Sequence, residues 1–180
     1  MPQNASHYPN ALIILHWLTF ILIVLSYASI EGREFFERGT DMRDNAKYIH
    51  FVVGLSILLT TFARIMFRLT SIVPAALSSG PQWVIKATKL GHSLIYLFLL
   101  VMPILGWLII SAEGKSVDIF GMTVPSLIAE DPELGKTLEE IHETIGKFGY
   151  ALLGGHMLMA LYHQYVLKQQ LFNRMKITRR

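Results

Sequence analysis

The sequence predicts an all-α fold, a four-helix transmembrane bundle with both termini on the cytoplasmic side. Three observations predict it. Apolar residues make up 52% of the 180-residue chain and the mean hydropathy is +0.42, too apolar for a water-soluble domain of this length. Four stretches, at 11–30, 50–68, 91–112 and 145–167, approach the roughly 20 apolar residues that cross a hydrocarbon core about 30 Å thick. The segments between them alternate in charge, which orients the bundle.

Helix 1 begins after the Pro9-Asn10 turn. Ala28 and Ser29 loosely resemble a signal-cleavage site, but no Lys or Arg precedes the stretch and it is too long for a signal core, so a retained anchor is expected. Helix 2 follows a segment, 31–49, with four basic and five acidic side chains. The connection to helix 3 is irregular, with Pro74, Gly80 and Pro81, and carries Arg64, Arg68, Lys86 and Lys89 with no acid, counting the end of helix 2. Segment 111–141 holds two basic and seven acidic side chains and is broken by Gly114, Gly121, Pro125 and Pro132. Asp131-Pro132-Glu133 is a helix start, so 133–142 is expected to run as a short amphipathic helix into helix 4. The tail has Lys168, Arg174, Lys176, Arg179 and Arg180 and again no acid. Basic connections stay inside, so both termini are expected in the cytoplasm. The net charge of +3 is then a topogenic signal, and nucleic acid is excluded as a partner. No internal repeat or low-complexity tract divides the chain, so residues 1–180 form one membrane domain.

Cysteine is absent, which removes disulfides, iron–sulfur ligation and covalent haem attachment. Histidines remain. An ionisable residue in the apolar zone is expensive and therefore a functional candidate. His142 and His156 are 14 apart, which in a helix is about 40° short of four full turns and a rise of about 21 Å, so they share one face at two depths. Helix 1 runs outward, placing His16 toward the cytoplasm, and helix 2 runs inward, placing His50 outside. Depth therefore pairs His50 with His142 and His16 with His156. A single such histidine is more often an interfacial polar tip, and His7 fits that description. Two opposed cross-helix pairs fit two non-covalent haems b. Bis-His ligation closes both axial positions of iron, which suits electron transfer rather than oxygen binding.

Spacing leaves one ambiguity. His92 and His163, one heptad beyond His156, also fall on the cytoplasmic side, so four histidines compete there for two axial positions. The spare pair is suited to a quinone carbonyl and its protons, or is merely interfacial. Gly149 lies on the His142/His156 stripe, with Gly146 and Gly155 near it; relief for a flat porphyrin and close helix packing explain these glycines equally well. Arg64 and Arg68 share a helix face. Snorkelling to headgroups accounts for Arg68, whereas Arg64 stands between that role and a haem propionate or quinone entrance. Trp17, Trp83 and Trp107 are placed for aromatic belts.

The ordered set of motifs resembles the bacterial cytochrome b561 family from end to end. It comprises His16-Trp17 opening helix 1, His50 and Gly54 in helix 2, Leu90-Gly91-His92 with Pro103 and Gly106 in helix 3, and His142-Glu143, Gly149-Tyr150, His156 and His163 in helix 4. The resemblance implies an inner-membrane protein with two haems b, His16 and His156 holding the cytoplasmic-side haem and His50 and His142 the periplasmic-side one. It also implies a quinone site at His92 and His163. Members that this chain looks most like include superoxide oxidases, which pass an electron from periplasmic superoxide to ubiquinone. The outer segments sum to minus six, against the attraction of an anion, but Arg33, Arg38, Arg43 and Lys47 are placed to form a local basic funnel.

The function expected is therefore electron transfer from a periplasmic donor, superoxide, through two haems to ubiquinone. The rival is a carrier or anchor subunit joining quinone to a periplasmic redox protein or dehydrogenase, with 111–141 as its docking surface. A histidine-based metal transporter is much weaker, since no broken helix or repeat accompanies the histidines.

Overall fold

A computed structural model of the protein describes residues 7–74, 81–119 and 121–177. Gly80, Arg179 and Arg180 of the basic segments lie outside the described residues. Four long helices dominate: α1 (Asn10–Gly32), α2 (Asp41–Thr70), α3 (Gln82–Ala112) and α4 (Pro132–Leu161). Two short strands, β1 (Asp118–Ile119) and β2 (Met122–Thr123), pair antiparallel in the α3–α4 connection, and a one-turn α5 (Leu171–Arg174) closes the chain. Neighbouring helices pack in sequence order, α1 on α2, α2 on α3 and α3 on α4.

Each boundary has a local cause. Pro9 and Pro81 precede α1 and α3, positions where a missing N–H costs nothing. At α4 the Asp131 carboxylate accepts from the Leu134 N–H at 3.0 Å, with Pro132 in the first turn. α4 runs unbroken from there, so 133–142 and the predicted 145–167 are one helix. Its last turn widens into a π-helical segment, Tyr162–Val166, and the chain then reverses through left-handed Lys168 and Gln170. α2 and α3 both start well before the predicted 50 and 91, because polar residues at Asp41–Lys47 and Gln82–Lys89 extend helices past the apolar stretch that marks a span.

Among the described residues three segments are long and apolar enough to cross a membrane: Asn10–Phe35, α2 and α3. α4 is as long, but even its apolar half, 144–161, holds Lys147, His156 and four glycines, and it falls short on apolarity. The small core includes Ile13, Thr61 and Leu99, while Leu59, Phe62, Leu97 and Phe148 are more than half exposed. An apolar exterior of this extent is what lipid, not water, solvates. Pro103 sits buried inside α3, which a membrane helix tolerates where neighbouring helices cover the gap.

Candidate functional site

The chain places histidines at both ends of the bundle. At one end His50 of α2 faces His142 of α4, ring centres 6.1 Å apart and planes at 80°. His50 Nδ1 donates to the Ser26 carbonyl at 2.9 Å. A carbonyl can only accept, so the proton is fixed on Nδ1 and the Nε2 lone pair is left free, which is how ligating histidines are normally oriented. A nitrogen ligand stands about 2.0 Å from a metal ion and an imidazole centre about 1.2 Å behind its nitrogen, so two rings on opposite sides of one ion have centres about 6.4 Å apart. The observed 6.1 Å fits.

The other end is more crowded. His156 of α4 touches His92 of α3, ring centres 5.4 Å apart, and His16 of α1 lies within electrostatic reach of both. His92 Nδ1 donates to the Thr88 carbonyl at 2.7 Å, so its Nε2 also carries the lone pair. His163 stands apart in the π-helical turn, its Nδ1 at 2.7 Å from Gln169 Oε1. No hydrogen bond or ring contact joins His163 to His92 among the described residues. Arg64 joins the cluster from α2, half-buried with its guanidinium over the Tyr96 ring at 5.6 Å, while Arg68 is exposed.

Arg33, Arg38, Arg43 and Lys47 converge on one open depression of about 300 Å³ at the His50 end, with Gly39, Asp44 and Glu139. Such a volume is far too roomy to grip a diatomic anion. Two of the four cations are committed: Arg43 donates to the Arg33 and Phe36 carbonyls and pairs with Glu34 at 2.9 Å, and Arg33 pairs with Glu34 at 3.1 Å and Glu143 at 3.8 Å. Arg38 and Lys47 are exposed and form no ion pair among the described residues. Arg33 also lies within electrostatic reach of His50, which connects the depression to the histidine pair.

Several contributors escape sequence spacing. Ser26, which orients His50, is one of few polar residues in an apolar run, and that contrast is the signal that marks it. Tyr27 Oη donates to the Gly146 carbonyl at 2.8 Å and its ring stacks 4.4 Å from that of Tyr150, whose hydroxyl donates to Glu31 at 2.8 Å. These contacts tie α1 to α4 beside His142. Gly149 serves that packing: a Cβ there would collide with Tyr27 and Phe98.

A mainly helical membrane protein with a facing histidine pair at one end, a histidine cluster at the other and no thiol ligand has the features of a b-type cytochrome. The profile of prokaryotic cytochrome b561 matches residues 7–176, and the chain belongs to that family. It is 29% identical to cytochrome b561 homolog 1 of Escherichia coli (strain K12) over 163 residues, covering 91% of this chain and 93% of that protein. It is 32% identical to the probable superoxide oxidase CybB of Yersinia pestis over 161 residues, 89% of this chain and 90% of that one. It is also 31% identical to cytochrome b562 of Cereibacter sphaeroides over 175 residues, 93% and 94% of the two chains. Membership makes the protein a haem-binding membrane electron-transfer protein.

The residues present fit haem. The donor set is imidazole only, and the His50 tautomer leaves Nε2 free to bind iron, while among the described residues His16 Nδ1 is a buried polar atom without a hydrogen-bond partner. Gly54, one turn beyond His50, and Gly155, next to His156, each present a helix face where a Cβ would meet no atom within 4 Å. The open face at Gly54, on the same side of α2 as His50, suits a planar macrocycle there.

Proposed function

We propose that the protein takes single electrons from superoxide at the His50 end and delivers them to ubiquinone at the His16 end. All four long helices cross the inner membrane in this reading, both termini are cytoplasmic, and the His50 end faces the periplasm. His50 and His142 hold one haem b, His16 and His156 the other, and His92 and His163 serve the quinone. The observation that carries the reading is the His50–His142 spacing of 6.1 Å with the His50 proton locked onto Nδ1. Bound haems supply one-electron redox centres closed to further ligands.

The chain's own part is positioning and proton supply. Ser26 holds the His50 tautomer, Tyr27 and Gly149 fix α4 against α1, and Arg38 and Lys47 gather an anion. Two superoxide ions give two dioxygen molecules and two electrons, and these with two protons convert one ubiquinone to ubiquinol. A doubly protonated imidazole at His92 or His163 would donate through Nε2 to a quinone oxygen, with Nδ1 held by the Thr88 carbonyl or by Gln169 Oε1. Superoxide as donor is supported by the similarity to the probable superoxide oxidase of Yersinia pestis. The test is reduction of the purified haem-loaded protein by superoxide, with and without ubiquinone: reduction followed by quinone-dependent reoxidation supports the reading, and no reduction by superoxide refutes it.

A carrier or anchor role is the second reading. It is favoured by the ordered acidic α3–α4 connection, pinned by Tyr48 Oη to the Asp118 carbonyl and Trp107 Nε1 to the Pro125 carbonyl, both at 2.8 Å. Ready reduction by a quinol, with none by superoxide, would select it.

A further inference from the structure

All 13 side-chain carboxylates of the chain fall within residues 31–44 and 113–143. These segments meet at the His50 end, where Arg33 pairs with Glu143 and Glu139 shares a depression with Arg33 and Arg43. The end where His16, His92 and His156 gather therefore has no side-chain carboxylate to offer. Yet Arg64 is half-buried there, over Tyr96, with Tyr8 and Arg68 as its other charged or titratable neighbours and His16 and His156 within its field. The corresponding cation at the opposite end, Arg33 near His50, is paired with Glu34 and Glu143. One histidine site thus has a compensated cation beside it, the other an uncompensated one.

A guanidinium stays protonated at every physiological pH. An unpartnered charge in the apolar interior is costly and marks function, and in low dielectric its field on neighbouring groups is weakly screened. A fixed positive charge stabilises an added electron nearby. We propose that Arg64 is a tuning residue whose uncompensated charge makes the His16/His156 site the better electron acceptor of the two, so that an electron entering at the His50 end is drawn toward the quinone end. The step moves one electron, oxidising the first site and reducing the second by one unit, and requires no proton. The inference rests on the two-haem reading above.

The experiment is a spectroscopic redox titration of the full-length protein carrying its haems, comparing wild type with Arg64→Gln, Arg64→Lys and Thr60→Glu. Thr60 lies four residues before Arg64 on α2, so glutamate there supplies the missing carboxylate with Arg64 in place. Arg64→Gln and Thr60→Glu should each shift the electron equilibrium at least tenfold toward the His50 site, which is 59 mV for a one-electron couple. The lowered potential should belong to the His16/His156 haem alone, and Arg64→Lys should stay within about threefold of wild type. Two bound haems whose potentials do not move in Arg64→Gln or Thr60→Glu would overturn the inference. So would a loss of the inner haem with its potential unchanged, which would make Arg64 a propionate anchor. A wild type that binds a single haem would instead remove the two-haem reading itself.

Discussion

The hydrogen bond made by its second nitrogen orients a ligating imidazole, and at His50 that bond goes to a backbone carbonyl instead of a side chain. Ser26→Ala should therefore retain both haems, because the hydroxyl at 3.1 Å is the lesser contact and the 2.9 Å carbonyl bond survives. Haem loss in that variant, measured as pyridine haemochrome per chain, would show that the hydroxyl is the orienting group. His50→Ala or His142→Ala should reduce the haem content from two to one per chain, and His16→Ala or His156→Ala should remove the other haem. Two intact low-spin haems in His142→Ala would refute the assignment. At the quinone end, His92→Ala and His163→Ala should leave both haem spectra in place and slow reoxidation by ubiquinone. Loss of a donor to a quinone oxygen costs about 1–3 kcal/mol, roughly one to two orders of magnitude in rate when the bond strengthens in the transition state. Loss of a haem from either variant would make that histidine an axial ligand.

At the scale of elements, two glycines that look alike in sequence have opposite surroundings. Gly149 is buried where α4 meets Tyr27 and Phe98, so Gly149→Ala overpacks the α1–α4 contact and should cost about 1–3 kcal/mol in thermal or denaturant unfolding. A Cβ at Gly54 would meet no atom within 4 Å, so in a Gly54→Leu variant that keeps its helical circular dichroism, selective loss of the haem at His50 would place the macrocycle against α2. Retained haem in Gly54→Leu would move it to another face. Helical periodicity makes the positions of such glycines legible but not their neighbours, because which ring fills the space depends on how α1 and α4 are rotated. The same limit hides Arg64, whose sequence position fits headgroup snorkelling as well as burial over Tyr96. The helix starts at Asp41 and Gln82 are obscured for another reason: apolarity reports the membrane's edge, and these helices continue past it.

Across the whole molecule, charge is segregated, with every side-chain carboxylate in two segments that meet at one end, and this much is legible from loop composition alone. Pairing is not legible there, since it depends on Glu34 and Glu143 reaching Arg33 and Arg43 from different elements. The segregation predicts orientation: a reporter active only in the periplasm should be active when inserted within 130–134 and silent when fused after Arg180. The reverse pattern would exchange the two ends and overturn the direction of electron flow. Segregation also bears on how superoxide arrives. The depression holds Arg33, Arg38, Arg43 and Lys47, but Asp44 and Glu139 share its lining and two of the cations are ion-paired, so the attraction comes chiefly from Arg38 and Lys47. Exposed charges of this kind raise encounter rates and are screened within about 8 Å at physiological ionic strength. Reduction of the protein by superoxide should accordingly slow as salt rises, and Arg38→Glu combined with Lys47→Glu should slow it at low salt while reoxidation by ubiquinone is unchanged. The checking measurement is rapid mixing with superoxide across a salt series. A rate insensitive to both salt and charge reversal would remove steering and leave diffusion to an exposed haem edge as the route of entry.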